Sequence, residues 1–278
     1  MIQGKVKTEE DLVVRVVKNC PIKYDDTKRV LLIDADSIVY FATYFPEDSL
    51  MTFPTESEQI EEAKFRIRNK LQEIQNNVEE YFNIIHTIMF IAGKDNFRYT
   101  IYPEYKANRS GAVKSPIFFI IKDYFIELGA IESHGAEADD YIIEAAKECL
   151  NNCVISSIDK DVLYHSPNVP FYDYRSFDTT LGAFKFISES ESRLLRASQI
   201  LIGDSTDGIP GAKSIGPAYC KKNLYEGMSN YQFTKQIFIG YLKANKNDYA
   251  LAKEQIKLNY KLLKLHTQEE IKKMLEKL

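Results

Sequence analysis

RVLLIDADS, residues 29–37, is the stretch on which the reading of the fold turns. Four consecutive apolar residues of strand type run into an acid, as in a strand buried on both faces that ends at Asp34. SIVYFATYF, residues 37–45, then starts a helix. Working outward, residues 58–82 carry helical periodicity over about six turns, and HTIMFIAG (86–93) is a second strand. Residues 116–129 form an amphipathic helix stopped by Gly129, 130–135 a short strand, and 135–150 a helix opened by acids. NCVISSID (152–159) is a further strand, and 169–174 and 183–188 read as a short hairpin-like addition. Residues 190–204 are helical, and a glycine-rich stretch at 208–227 leads into helices that run to the C-terminus. Strands alternating with helices predict an α/β fold with a mostly parallel sheet. Ligands of such sheets bind beyond the carboxyl ends of the strands, where Asp34 and Asp159 stand.

Eight carboxylates gather in four clusters, each after a short apolar run. They are Asp34, the trio Glu137, Asp139 and Asp140, the pair Asp159 and Asp161, and the pair Asp204 and Asp207. So much negative charge converging at one end of a sheet is tolerable only with cations among it. The pattern predicts a site for two divalent metals, an arrangement that hydrolyses phosphodiesters.

The charge distribution agrees with such a substrate. The formal net charge is −4, but residues 208–278 hold 13 lysines and no arginine against 6 acids. An acidic half filled by cations, followed by a basic tail, suits a polyanion. A hydrophobic content of 45 % places the chain among ordinary globular proteins, and its 278 residues allow one large domain or two smaller ones. No apolar run is long enough to cross a bilayer and the first residues, MIQGKVKTEED, form no secretory segment, which predicts a cytoplasmic protein without a membrane. Cys20, Cys149, Cys153 and Cys220 lack zinc-site spacing, and His86, His134, His165 and His266 are scattered, so neither set is expected to bind metal.

The ordered set LLIDADS, FIAGKDNFRYTIYPEYKANR, GAEADD, ISSIDKDVLYH and IGDSTDGIPGAKSIGPAYCKK resembles the 5′ nuclease superfamily over residues 30–225. That superfamily contains flap endonucleases, phage 5′→3′ exonucleases and the nuclease domain of bacterial DNA polymerase I. The resemblance implies a PIN-like catalytic domain at 29–203, preceded by an extension at 1–28 and followed by a helical duplex-binding region at 204–278 of helix–turn–helix (H3TH) type. It implies that all eight acids bind or orient two Mg²⁺ ions, with Mn²⁺ as the alternative. It places a short helical arch at about 97–128, in which Lys106 and Arg109 stabilise the cleaved phosphate and Tyr105 stacks on a base. Arg98 is expected to contact phosphate as well. Gly211, Lys213, Ser214, Gly216, Lys221 and Lys222 are expected to grip duplex backbone, with Gly208 helping the main chain approach it. A K⁺ ion is implied in that turn.

One position departs from the pattern. The superfamily has a further Asp just after the second strand, where this chain has Ile91, with Asp95 four residues on. Either Asp95 substitutes or the acid is absent, and absence with an altered metal requirement is the expectation. The resemblance implies a monomeric enzyme acting on DNA with 5′ ends, flaps or overhangs in replication and repair. A replicative polymerase or a sliding clamp is an open partner, and the last ten residues hold no convincing docking peptide. Two rivals are a PIN-like ribonuclease and a DNA-structure-binding protein without catalysis.

Overall fold

The computed structural model describes residues 25–46, 52–109, 111, 113–175 and 184–276. The expected extension therefore lies outside the described residues up to position 24, and its last four residues are already strand. Strand β1 (Asp25–Asp34) is followed by α1 (Asp36–Thr43), α2 (Glu56–Glu79), β2 (Phe82–Ile91) and α3 (Phe97–Ile101). Then come α4 (Phe118–Glu127), β3 (Ile131–Glu132), α5 (Ala138–Glu148), β4 (Cys153–Ser156) and α6 (Lys160–His165). Strands β5 (Phe171–Tyr172) and β6 (Phe184–Lys185) complete a six-stranded sheet of order β3-β2-β1-β4-β5-β6. Every pairing in it is parallel except β5 with β6.

β1 sits at the centre because it is apolar on both faces. Leu31 and Ile33 face a cluster with Ile38, Ile67, Ile74 and Phe125, from α1, α2 and α4. Leu32 faces the other way, against Ile142, Ile155 and Leu163. Each is buried to within 1 % of completely, worth about 1.5–3 kcal/mol per side chain. The chain leaves β1 toward β2 on one side, while β4 lies on the other. The sheet order therefore reverses beside β1, which opens a crevice at its carboxyl end.

The C-terminal part is helical: α7 (Glu189–Ile202), a two-stranded ribbon of β7 (Gly203–Asp204) and β8 (Ile209–Pro210), then α8 (Pro217–Asn223), α9 (Asn230–Ala244), α10 (Tyr249–Leu263) and α11 (Gln268–Leu275). Ala197 and Leu201 of α7 share one core with Cys220, Phe233, Ile237 and Tyr241. The expected boundary at 203/204 thus falls where α7 packs with the helices that follow it. Gly211 has a local role there, because a Cβ on it would meet the Ile202 carbonyl oxygen at 2.1 Å. Glycine is needed there for that close backbone contact, a reason for the residue apart from the expected approach to phosphate.

Candidate active site

A pocket of about 1220 Å³ opens at the carboxyl end of the sheet. It is bordered by Asp34, Glu137, Asp139, Asp159, Asp161 and Asp207. Six of the eight predicted acids therefore meet in one place, delivered by β1, the start of α5, the N-cap and first turn of α6 and the ribbon after α7.

A hydrogen-bond chain sets the first strand ends. The Asp159 N–H donates to Ser157 Oγ at 2.9 Å, and Ser157 Oγ donates to Asp34 Oδ2 at 2.8 Å. Burial, then the neighbouring Asp36, push the Asp34 carboxyl up to about 7. Asp161 accepts from Gln199 Nε2 at 2.7 Å, yet burial, then Asp159 and Asp204, raise it to about 8. Asp139 has no hydrogen-bond donor among the described residues, and burial, then Asp159 and Asp34, hold it well above the usual carboxylate range.

The other acids already have cationic partners. Burial works to raise Glu137, but Lys106 and Arg98 outweigh it and hold its carboxyl low. Glu137 accepts from Lys106 Nζ, from Tyr105 OH at 3.1 Å and from Asn96 Nδ2 at 3.0 Å. Asp207 accepts from Tyr105 OH at 2.9 Å and from Arg109 at 2.6 Å. Asp204 stands behind the pocket wall, 4 % exposed, with Lys160 Nζ at 3.2 Å. Burial opposes its charge, and Lys160 with two backbone N–H groups keeps it below the ordinary value.

Three expected roles are corrected. Asp140 is completely buried and turned away from the pocket onto Arg98, whose guanidinium donates to both its oxygens at 2.6 and 3.0 Å. The N–H groups of Glu137 and His266 fill its remaining acceptor positions at 3.1 and 2.7 Å. With four donors in place, Asp140 has no lone pair to offer a metal. Arg98, 1 % exposed, also donates to the carbonyls of Leu262 and Lys264, so it braces α10 and the following turn instead of reaching phosphate. Tyr105 is 2 % exposed and its hydroxyl joins Glu137 to Asp207, so its ring cannot stack on a base. Tyr40 and Tyr99, both about half exposed, border the same pocket.

Lys106 and Arg109 stand on the rim, in a segment tied to the turn after β7. Lys106 N–H donates to the Asp207 carbonyl at 2.8 Å and Asn108 Nδ2 to the Ser205 carbonyl at 2.9 Å. Positions 110 and 112 of the expected arch lie outside the described residues. Gly208, with φ of 69°, turns the chain beneath this segment, where a Cβ would lie 3.3 Å from the Glu104 carbonyl oxygen. Lys213, Ser214, Lys221 and Lys222 are all exposed, and a Cβ on Gly216 would meet nothing within 4 Å. Asp95 is exposed and accepts from the Gly135 N–H at 2.9 Å, the bond of a turn residue. The reading from sequence missed Ser157, Lys160, Gln199 and Asp36. Only Asp36 left a local trace, as a second acid two residues after Asp34.

Bare, raised carboxyls are the donor chemistry that hard divalent cations fit. Among the described residues no three His, Cys, Asp or Glu side chains stand close enough together to hold a metal ion by themselves. Like charges hold each other apart, and Mg²⁺ takes few direct protein ligands because it keeps several waters. A stability test follows. The raised carboxyls bind protons more tightly folded than unfolded, so their penalty grows as pH rises from the ordinary carboxylate range through about 7 and 8. Buried His165 and His266, whose burial lowers their proton affinity, act in the opposite sense only below about 6.5. Without divalent ions, the melting temperature should therefore fall between pH 7 and 8.5. Mg²⁺ should restore it, more at pH 8.5 than at pH 7. A calorimetric scan insensitive to both variables would contradict this picture.

The family model for the 5′-3′ exonuclease N-terminal resolvase-like domain matches residues 29–186. The chain belongs to the 5′-3′ exonuclease family. Among the relatives of this family member, the 5′-3′ exonuclease of Buchnera aphidicola is 30 % identical over 209 residues, covering 69 % of this chain and 68 % of that one. The DNA polymerase I of Rhizobium leguminosarum is 33 % identical over 149 residues, half of this chain and 15 % of the polymerase. The T5 D15 protein, co-crystallized with metal ions, has the same fold, with a TM-score of 0.56 and 16 % identity. That alignment covers 90 % of this chain and 98 % of the T5 protein. The fold and the nuclease family expected from the ordered motifs are therefore both present.

Proposed function

We propose that this 5′-3′ exonuclease family member is a divalent-metal-dependent nuclease that hydrolyses DNA phosphodiesters, stepwise from 5′ ends and at flaps. The carrying observation is Asp139, a carboxylate in the pocket with no hydrogen-bond donor among the described residues, held beside Asp34 and Asp159. Asp34, Asp139, Asp159 and Asp161 would hold two ions, Mg²⁺ by choice and Mn²⁺ as the alternative. A bound divalent ion supplies a water of lowered pKa and neutralises charge on the scissile phosphate.

The protein groups do the positioning. Lys106 and Arg109 present positive charge at the rim, where a phosphate enters, and Glu137 and Asp207 aim them. Arg109, with a side chain about half exposed, is the more accessible of the two and suits bidentate phosphate contact. Exposed Lys213, Lys221 and Lys222, with Ser214 and the open backbone at Gly216, suit sequence-independent contact to duplex phosphates. A K⁺ ion in the turn at 208–216 belongs to the same reading. The sheet unit at 29–203 would then do chemistry and the helices at 204–278 hold duplex. The protein would act as a cytoplasmic monomer on intermediates of replication and repair, next to a replicative polymerase.

The test is an Mg²⁺ titration with a duplex labelled on a 5′ flap, beside an RNA strand of matched sequence. Metal-dependent release of short 5′ products from DNA, abolished by EDTA, is the expected result. Tight duplex binding without cleavage in Mg²⁺ or Mn²⁺ would make the protein a structure-binding module. Preferential cleavage of the RNA would make it a ribonuclease.

A further inference from the structure

We propose that Asp36 replaces the acid that the superfamily carries after its second strand and this chain lacks. The inference rests on the metal-dependent reading of the pocket. Ile91 occupies the superfamily's acidic position at the end of β2 and is 1 % exposed, packed in the core beneath the sheet end. It offers no charge. Asp95, which also borders the pocket, is exposed to solvent and ties one oxygen to the Gly135 N–H, so it is the rival that a binding test must separate from Asp36.

Asp36 reaches the vacated place from the neighbouring strand. β1 and β2 are parallel partners, with Asp34 opposite Phe90. Their carboxyl ends are therefore side by side, and the Ala35 N–H donates to the Phe90 carbonyl at 2.9 Å. One residue on, Asp36 Oδ1 accepts from the Ala92 N–H at 2.9 Å. This bond carries the carboxylate of Asp36 across to the residue that follows Ile91. Its other oxygen, Oδ2, has no hydrogen-bond donor among the described residues. Asp36, Asp34 and Ile91 all border the same pocket. An acid lost from one strand end is thus recovered from the start of the helix after the adjacent strand, and the pocket keeps its negative charge.

Mn²⁺ binding by isothermal titration calorimetry on the full chain tests this without relying on turnover. Asp36→Asn is isosteric and keeps an oxygen for the Ala92 N–H, so a purely structural role would survive it. The variant should bind Mn²⁺ about 10–100-fold more weakly, the cost typical of losing a supporting group at a metal site. Asp36→Asn combined with Ile91→Asp should regain at least about tenfold of that loss, since position 91 borders the pocket. Asp95→Asn should bind like wild type. Wild-type affinity in Asp36→Asn, or a loss carried by Asp95→Asn instead, overturns the proposal. If the double variant fails to fold by circular dichroism, the two single variants still decide. Wild-type protein that binds no Mn²⁺ would overturn the metal reading itself, a different outcome from wild-type affinity in the Asp36 variant.

Discussion

Asp139→Asn is expected to lower cleavage of a 5′-flap duplex by about 10³-fold or more while making the metal-free protein more stable at pH 8. The two effects have opposite signs for one reason. Asp139 is held in the pocket against burial and the charges of Asp159 and Asp34, with no hydrogen bond among the described residues to compensate. An acid in the first turn of α5 gains about 0.3–1 kcal/mol from the helix dipole. That gain is the smaller effect here, since the group's proton affinity is raised well above normal. Asparagine removes the repulsion and keeps the shape. It also removes a charge that holds cations, and the charge stabilisation such ions supply is worth several kcal/mol, or about tenfold in rate for each 1.4 kcal/mol. Single-turnover kinetics and a thermal melt at pH 8 check both halves. Retained activity, or a lower metal-free melting temperature, would remove Asp139 from the role assigned to it.

Asp140→Ala, one residue away, should fail in a different manner, by loss of the fold. It leaves the buried Arg98 guanidinium without its hydrogen-bonded carboxylate, with Glu137 at 4.0 Å as the remaining anion, and breaking such a buried pair costs about 3–5 kcal/mol. The Glu137 and His266 N–H groups also lose their acceptor, and unmet buried donors add to the cost. For a chain of this size the melting temperature should drop by roughly 10 °C. The arginine will not escape by deprotonating, because a guanidinium keeps its proton in proteins even when buried. Replacing both partners, as Arg98→Met with Asp140→Leu, should recover much of the loss, since apolar side chains of similar volume can replace a buried pair. A fully stable Asp140→Ala that no longer binds Mg²⁺ would return Asp140 to the ligand set.

The contrast between these neighbours marks how far the site could be read in advance. Helix α5 starts at Ala138, and successive side chains on a helix point about 100° apart. In the run GAEADD the two adjacent acids therefore point in different directions, and both are expected at the metals from the motif. The run does not show which one turns inward. The choice falls to Arg98, 42 positions earlier, and to the turn at 262–266, more than 120 positions later. Tyr105 is similar: an aromatic between cations reads as a stacking platform until packing against Ile209, Leu262 and Leu263 buries it.

What was legible in the chain is the local part. Buried strands announce themselves as unbroken apolar runs, helices as apolar residues at regular intervals, and chemistry as acids where a run ends. These signals rest on a few consecutive residues, so the α/β order, the strand-end position of Asp34 and the four acidic clusters needed no coordinates. Asp159, expected at the end of a strand at 152–159, instead caps the helix that follows a strand ending at Ser156. The assignment of each charged side chain to pocket, rim or core depended on partners distant in sequence. Burying a charge is favourable only where an opposite charge arrives from elsewhere in the fold. Arg98 therefore became a brace, Asp140 its partner and Asp36 the occupant of a neighbouring strand's vacancy once β1, β2, α5 and α10 had come together.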